Sequence, residues 1–504
     1  MPQTFDLLNT DLSGVNLIEA SAGTGKTFTI AAIYLRLIIE TGLTVDNILV
    51  VTFTEAATAE LKDRIRNRLR DAALAFESGE SDDVFLRGLI HRHPDRRPVL
   101  DRLRSAVRDF DEAAIFTIHG FCMRMLRENA FESGGLFDTE LMIDMEGLKR
   151  EVVQDFWRRH FYEASPLFIN YALGRNYAPE TYLGLLNNAV GVQKPRIVPQ
   201  VEIPDTAPLE NAYRDAYRAA AEHWTASKDD VGELLINSSG LNGNKYPKKS
   251  LPNWIAAVDA FMKMGPDNPA MPGKFVKFTA ETLAGGVKKN GTPPVHPFFD
   301  ACEVLYHAYV PLKTAFDDRL MGLKIALFDT AAAALQEKKA RRNRISFDDL
   351  LLNFHDALTA ENGPALTAAI RSRFRAALID EFQDTDPVQY AIFRRLFTGP
   401  ESLLFLIGDP KQAIYRFRGA DIFAYMTAKE RAENRYTLGE NWRSEPELVA
   451  AVNTVFGNAA QPFLYDAIPF DPVSPAENRP NPTRLTLDGR PAPPLQVWRM
   501  TPEE

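Results

Sequence analysis

The sequence predicts a parallel α/β fold interrupted by a large, mainly helical insertion, and three observations predict it. The apolar run "VNLI" leads into the small-residue stretch "EASAGTGKT" (residues 19–27) and then into the amphipathic "FTIAAIYLRLII". Far downstream, "RAALIDEF" and "SLLFLIGD" are short apolar runs that end in acids and turn residues, as buried parallel strands with functional carboxyl ends do. Between these two regions, from 131 to 335, helical pieces alternate with Pro- and Gly-rich stretches.

The first element reads as strand, loop and helix. It meets the P-loop pattern G-x-x-x-x-G-K-[ST] with one departure, Ala20 where the first glycine usually stands. Ala20, Ser21, Ala22, Gly23, Thr24 and Gly25 would turn backbone N–H groups towards a phosphate, and the following helix N-terminus carries its partial positive charge to the same point. Lys26 adds a full charge, and Thr27 offers a hydroxyl to Mg²⁺. The competing reading of the loop alone is a flexible glycine turn.

Next come the strand-like "NILVVTFT" (47–54), the helical "EAATAELKDRIRNRLRDAALAF" and a second helix over "IHGFCMRMLRENAF". The stretch 131–335 contains helical pieces such as "LKREVVQDFWRRHFYEA", broken by "KPRIVPQVEIPDTAPLE" and "AGGVKKNGTPPVHP", with no repeat and no catalytic spacing. Lys26 and Asp380 stand 354 positions apart. If both serve one nucleotide, their strands share one sheet and the chain between them holds an inserted domain.

In "LIDEFQDTDPVQ" (378–389), Asp380 ends an apolar strand, where a carboxylate can hold Mg²⁺ bridging β and γ phosphates. Glu381 beside it can orient and deprotonate an attacking water. Two adjacent acids at a strand end also suit a solvated turn. In "LIGDPKQAIYRFRGAD" (406–421), Gln412 can hydrogen-bond a γ phosphate and a neighbouring water. Tyr415, Arg416, Phe417 and Arg418 interleave aromatics with cations, the combination that grips a single strand without reading its sequence; a core aromatic pair with surface arginines is the alternative.

Bulk properties bound the rest. A chain of 504 residues has room for about three ordinary domains. Its 45% hydrophobic and 25% charged content suits a soluble globular protein, no run approaches a membrane span, and "MPQTFDLLNT" has no signal-peptide core, so a cytoplasmic location is expected. Cys122 and Cys302, the two cysteines, suggest neither a disulfide framework nor a metal knuckle. The net charge of −9 argues against a general nucleic-acid coat protein, although arginines concentrate between 62 and 108, as a local groove or as a solvated helix face.

"ASAGTGKT", "VVTFTEAATAELKDRIRNRL", "FTIHGFC", "ISFDDLL", "LIDEFQDTDPVQ", "LIGDPKQAIYRFRGAD" and "YTLGENWRS" stand in the order of motifs I, Ia, Ib, Ic, II, III and IV of the superfamily 1 UvrD/Rep-type DNA helicases. The chain resembles that family, and "LIEASAGTGKTFTIAAIYLRLI" is most similar to its RecB-type branch, that of the exodeoxyribonuclease V beta subunit. The resemblance implies a RecA-like P-loop lobe that uses ATP and Mg²⁺. At matching positions, Lys26 and Thr27 would serve phosphate and metal, Asp380 the metal, Glu381 the water and Gln412 the γ phosphate. Arg443, in "NWRS", would neutralise charge developing on the γ phosphate. Phe53, His119, Tyr415, Phe417 and Arg418 would line a single-strand channel, with a structural hydrogen bond as the other reading of His119.

The implied organisation is a first part of the ATP-binding lobe at 1–130, a helical insertion at 131–335, the second part of the lobe at 336–458, and the start of a further domain at 459–504. The implied function is ATP-dependent 3′ to 5′ DNA unwinding, on single strands and 3′-tailed duplexes, in double-strand-break repair and recombination, with RecC-like and RecD-like partners. No convincing adenine-reading glutamine motif precedes the P-loop. Motifs V and VI and a nuclease domain are not found before Glu504, so an N-terminal portion of such a helicase is expected, slow in hydrolysis and unable to unwind alone. An autonomous ATP- and DNA-binding module, or an inactive product of a split gene, are the alternatives.

Overall fold

The computed structural model describes residues 2–129, 139–142, 144–187, 197–399, 403–414, 420–477 and 485–498. The chain divides into two units. One takes Met1–Met142, Val190–Gln193 and Ile345–Glu504; the other takes Ile143–Ala189 and Lys194–Arg344.

The first unit is built on a seven-stranded sheet. Its strands are β1 (Gln3–Thr4), β2 (Gly14–Ala20), β3 (Ile48–Thr52), β4 (Ile115–Thr117), β5 (Ala376–Ile379), β6 (Leu403–Gly408) and β7 (Asn434–Leu438), in the order β1-β7-β2-β6-β5-β3-β4. Every neighbouring pair is parallel, so the expected parallel α/β fold is present. Residues from both ends of the sequence share the middle of this sheet: Leu17 pairs with Leu406, and Leu378 with Phe405.

Because successive side chains leave a strand on opposite faces, the central strands feed two cores. Ile18, Val50, Leu378 and Phe405 enter one core with the helices α1 (Lys26–Arg36) and α2 (Glu55–Ser78). Leu17, Leu49, Ile379 and Leu406 enter the other. There they meet α3 (Ile118–Glu128), α4 (Phe347–Thr359) and α5 (Pro387–Phe397). Being covered on both faces is what makes these strands read as continuous apolar runs. Caps fix where the helices begin. Thr54 and Thr117 accept from Ala57 and Gly120, while Ser346 with Asp349 and Asp386 with Gln389 form capping boxes. A further helix, α6 (Ile422–Arg431), is tied to β2 through Glu19, which accepts from Tyr425 Oη at 3.0 Å and pairs with Lys429 at 2.8 Å.

Several arginines between 62 and 108 serve this packing. Arg68 pairs with Asp83, Arg104 with Glu77, and Arg102 donates to the Ile39 carbonyl at 2.7 Å. They brace neighbouring elements against one another.

The second unit is helical, with Ala207–Ile236 and Pro297–Arg341 its longest helices. Its core is unusually aromatic: Phe161, Phe168, Tyr213, Tyr217, Phe261 and Phe316 are all buried in it. Cys122 and Cys302 are buried free thiols, one in each unit. Among the described residues no helix is long and apolar enough to cross a membrane.

Candidate nucleotide site

The carboxyl ends of β2, β5 and β6 lie along one edge of the sheet, and the loops that leave them carry the chemistry. After β2 the chain turns through Gly23 (φ +80°) and Gly25 (φ +88°), backbone conformations in which an L side chain is strained. Gly25 is the N-cap of α1 and has no side-chain cap, so the first N–H groups of that helix are left to another acceptor. Thr24 braces the turn by donating its hydroxyl to the Ser21 carbonyl at 2.7 Å. Lys26 and Thr27 follow as the first two residues of α1.

A later segment clasps the loop from outside. Asn441 donates from Nδ2 to the Ala22 carbonyl at 2.9 Å, and the Trp442 N–H donates to the Gly23 carbonyl at 2.8 Å. The other end of the Asn441 amide accepts from the N–H groups of Arg443 and Ser444. A Cβ placed on Gly23 would stand 2.8 Å from Arg443 Cβ, so glycine lets the two segments touch and sets Arg443 beside the loop. These contacts escape a motif search for charged groups, because they run through one amide side chain and the main chain. "NWRS" itself is their one signal in the sequence.

From β5 come the two acids. Lys26 Nζ meets Glu381 Oε2 at 2.5 Å. Glu381 sits at φ +50°, ψ +42°, a left-handed conformation that a non-glycine residue adopts only when its surroundings enforce it. Asp380 hydrogen-bonds the Glu381 N–H, and its own N–H donates to the Val51 carbonyl. Burial, with the Glu381 carboxylate adding to it and Lys26 opposing, pushes the Asp380 carboxyl up to about 6. A desolvated carboxylate with so little compensation is what a cation would relieve.

From β6 comes the third part. Gln412 Nε2 donates to Asp409 Oδ2 at 2.8 Å, and Lys411 pairs with Asp409 Oδ1 at 2.9 Å. Gln383, which sequence reasoning passed over, links this part to the second: its Nε2 donates to Glu381 Oε2 and its Oε1 accepts from the Asp409 N–H. Lys26, Glu381, Gln383, Asp409 and Gln412 therefore form one connected network.

Two of the expected strand-channel residues, Phe53 and His119, are among the described residues. Phe53 is at the carboxyl end of β3, half-buried. His119 is in the first turn of α3, edge-on to Phe347 with ring centroids 5.0 Å apart, and burial lowers its pKa, favouring the neutral ring. Tyr415, Arg416, Phe417 and Arg418 lie outside the described residues.

Comparison with known proteins agrees with this architecture. Residues 2–223 and 315–433 match the UvrD/REP helicase N-terminal domain. The RecBCD enzyme subunit RecB of Escherichia coli (strain K12) is 40% identical over 99% of this chain and 42% of its own length. Its counterpart in Haemophilus influenzae is 36% identical over 99% of this chain and 44% of its own. The chain thus spans less than half the length of these relatives. With most of its residues matched, including the P-loop and both acids, the chain belongs to the UvrD/REP helicase family and is of RecB type.

Proposed function

We propose that this chain binds ATP with Mg²⁺ at the edge formed by β2, β5 and β6, and that hydrolysis there serves movement along DNA. The observation that carries the reading is the meeting of Lys26 with Glu381, beside half-buried Asp380, under a P-loop whose helix N-terminus has no side-chain cap. The donor set suits a magnesium nucleotide: N–H groups and an ammonium for phosphate, a hydroxyl and a carboxylate for the metal. When bound, that group supplies the γ-phosphoryl and a cation that screens its charge. Lys26 and the N–H groups of residues 20–25 hold phosphate, and Thr27 and Asp380 hold the metal. Glu381 orients the attacking water and takes its proton. Gln412 contacts the γ phosphate, and Arg443 offsets the charge that grows there.

Single-stranded DNA is the proposed polymer, gripped by Phe53, His119, Tyr415, Phe417 and Arg418 through stacking and phosphate contact, with little sequence preference. The relatives are named as subunits of a RecBCD enzyme. By likeness to them, RecC-like and RecD-like proteins are the proposed partners, and 3′ to 5′ unwinding in break repair is the proposed task. The domain arrangement carried with this reading is a lobe from 1–130 and 336–458, an insertion at 131–335 and a further domain starting at 459.

Calorimetry tests the site: ATP with Mg²⁺ should bind the wild type and bind Lys26→Ala far more weakly. Equal affinity for the two would overturn the assignment. For DNA, the Tyr415→Ala, Phe417→Ala double variant should lose about 1 to 3 kcal/mol per base stacked, and unchanged oligonucleotide binding would make these aromatics ordinary packing residues.

A further inference from the structure

Gln383 is 2% exposed and lies in the 3-10 turn Phe382–Asp384 that follows the two acids. Its amide is used at both ends. Nε2 donates to Glu381 Oε2 at 2.7 Å, and Oε1 accepts from the Asp409 N–H at 2.9 Å. A carboxylate can only accept and a main-chain N–H can only donate, so the partners themselves fix which end of the amide is oxygen. Nothing but an amide of this length satisfies both. The space is cut for it as well: a Cβ on Gly408, the last residue of β6, would collide with Gln383 Oε1.

Glu381 Oε2 accepts from two donors at once, Lys26 and Gln383. A phosphate that draws Lys26 away leaves Gln383 as the remaining donor to that oxygen, and a hydrogen bond in such a chain strengthens when a competing donor leaves. The far end of the same amide holds the N–H of Asp409, itself 2% exposed, whose two carboxylate oxygens hold Lys411 and Gln412.

We propose that Gln383 is a positioning residue that ties the Glu381 carboxylate to the Asp409–Gln412 turn, so that loading of the phosphate site is felt at that turn. The proposal rests on the reading of Lys26 and Glu381 as phosphate-site residues and goes beyond it by assigning the link to one side chain. Gln383 touches no reacting atom; it acts through Glu381 on one side and Asp409 on the other.

The test is hydrogen exchange on the full 504-residue chain, with and without the non-hydrolysable analogue AMP-PNP and Mg²⁺, read on the segment 403–409, which carries the Asp409 N–H that Gln383 holds and leaves out Gln412, itself a phosphate contact. Two variants accompany the wild type. Gln383→Glu keeps the shape but loses the donor and sets a second carboxylate against Glu381. Gln383→Met keeps the length and removes both bonds. In the wild type the nucleotide should slow exchange of the segment by roughly 10-fold, the scale of one transmitted hydrogen bond. Both variants should bind AMP-PNP within about threefold of wild type by calorimetry while the segment no longer responds, because the altered side chain lies behind the phosphate site. A merely structural role would speed exchange in both states and leave the difference intact. A wild-type segment indifferent to bound nucleotide, or variants that respond as the wild type does, would overturn the proposal. So would loss of nucleotide binding in both variants, since Gln383 would then belong to the binding site. Failure of the wild type to bind AMP-PNP at all would remove the phosphate-site reading itself, a distinct result.

Discussion

In the sheet unit, the buried and half-buried polar side chains at the carboxyl edge answer to one another. Lys26 meets Glu381, Glu381 meets Gln383, Gln383 meets Asp409, and Asp409 meets Gln412. In the helical unit, three tyrosine hydroxyls answer to the main chain: Tyr213 to the Asn268 carbonyl, Tyr217 to Phe261 and Tyr246 to Lys277. A tyrosine that ends on a carbonyl lets a large apolar ring enter a core without leaving its hydroxyl unpaired. A network of charged and amide groups spanning three loops stabilises less per buried atom, yet it can change its partners when a ligand arrives. The first arrangement suits switching, the second packing.

The largest effect expected from breaking this contrast is on turnover. Glu381→Gln should keep ATP binding and lower hydrolysis by about 10² to 10⁴, as for loss of a general base, measured by steady-state phosphate release. The mirror experiment is Phe316→Ala in the helical core, where Phe316 is fully buried against Phe168 and Tyr171. It should cost about 3 to 5 kcal/mol in urea unfolding and leave nucleotide affinity within about twofold. If each variant disturbed both properties alike, the division between switching and packing would fail.

How much of this division the sequence carries depends on what kind of atom does the work. Strands β2, β3, β5 and β6 are legible because burial on both faces makes them continuous apolar runs, and Gly23 and Gly25 because a tight loop needs left-handed backbone. Asp380 and Glu381 stand out by charge at a strand end, and Lys26 by charge at the start of a helix. The clasp by Asn441 and Trp442 is legible only through "NWRS", since half of it is a main-chain bond that leaves no residue pattern, and Gln383, one amide among polar neighbours, is not legible at all. The left-handed turn at Glu381 is set by packing around it, which no local preference announces. In the helical unit, Pro311 lies inside the helix Pro297–Arg341, so a breaker residue does not mark a boundary there.

Smaller effects sharpen the comparison. Lys26→Ala should weaken ATP binding by about 1.5 to 3 kcal/mol, the worth of a charge-assisted hydrogen bond, read by calorimetry. For Asp380, whose carboxyl is pushed up to about 6, two signs differ. Its contribution to folding is fully present below the ordinary carboxylate range and is lost as pH rises through about 6. Metal binding needs the ionised form, so affinity for magnesium nucleotide should rise through the same window, falling roughly 10-fold from pH 7 to pH 5. Asp380→Asn should flatten that dependence in a pH series of titrations. The smallest change expected is for Tyr217→Phe, about 1 kcal/mol in unfolding, because it removes the bonds that Tyr217 Oη makes to the Phe261 carbonyl and the Gly265 N–H.

The clasp on the P-loop also sets an order of events during synthesis. Asn441 and the Ala22 carbonyl it holds are 419 residues apart, and both strands that flank β2 are made after residue 400. At roughly 5 to 20 residues per second, the nascent chain carries the β2 segment for tens of seconds before its neighbours exist. During that interval "VNLI" has neither a sheet to join nor a finished loop to end in. A stalled ribosome with about 400 residues exposed would therefore present an aggregation-prone segment that chaperones must shield, and ATP would become a folding ligand only after Asn441 and Arg443 have emerged.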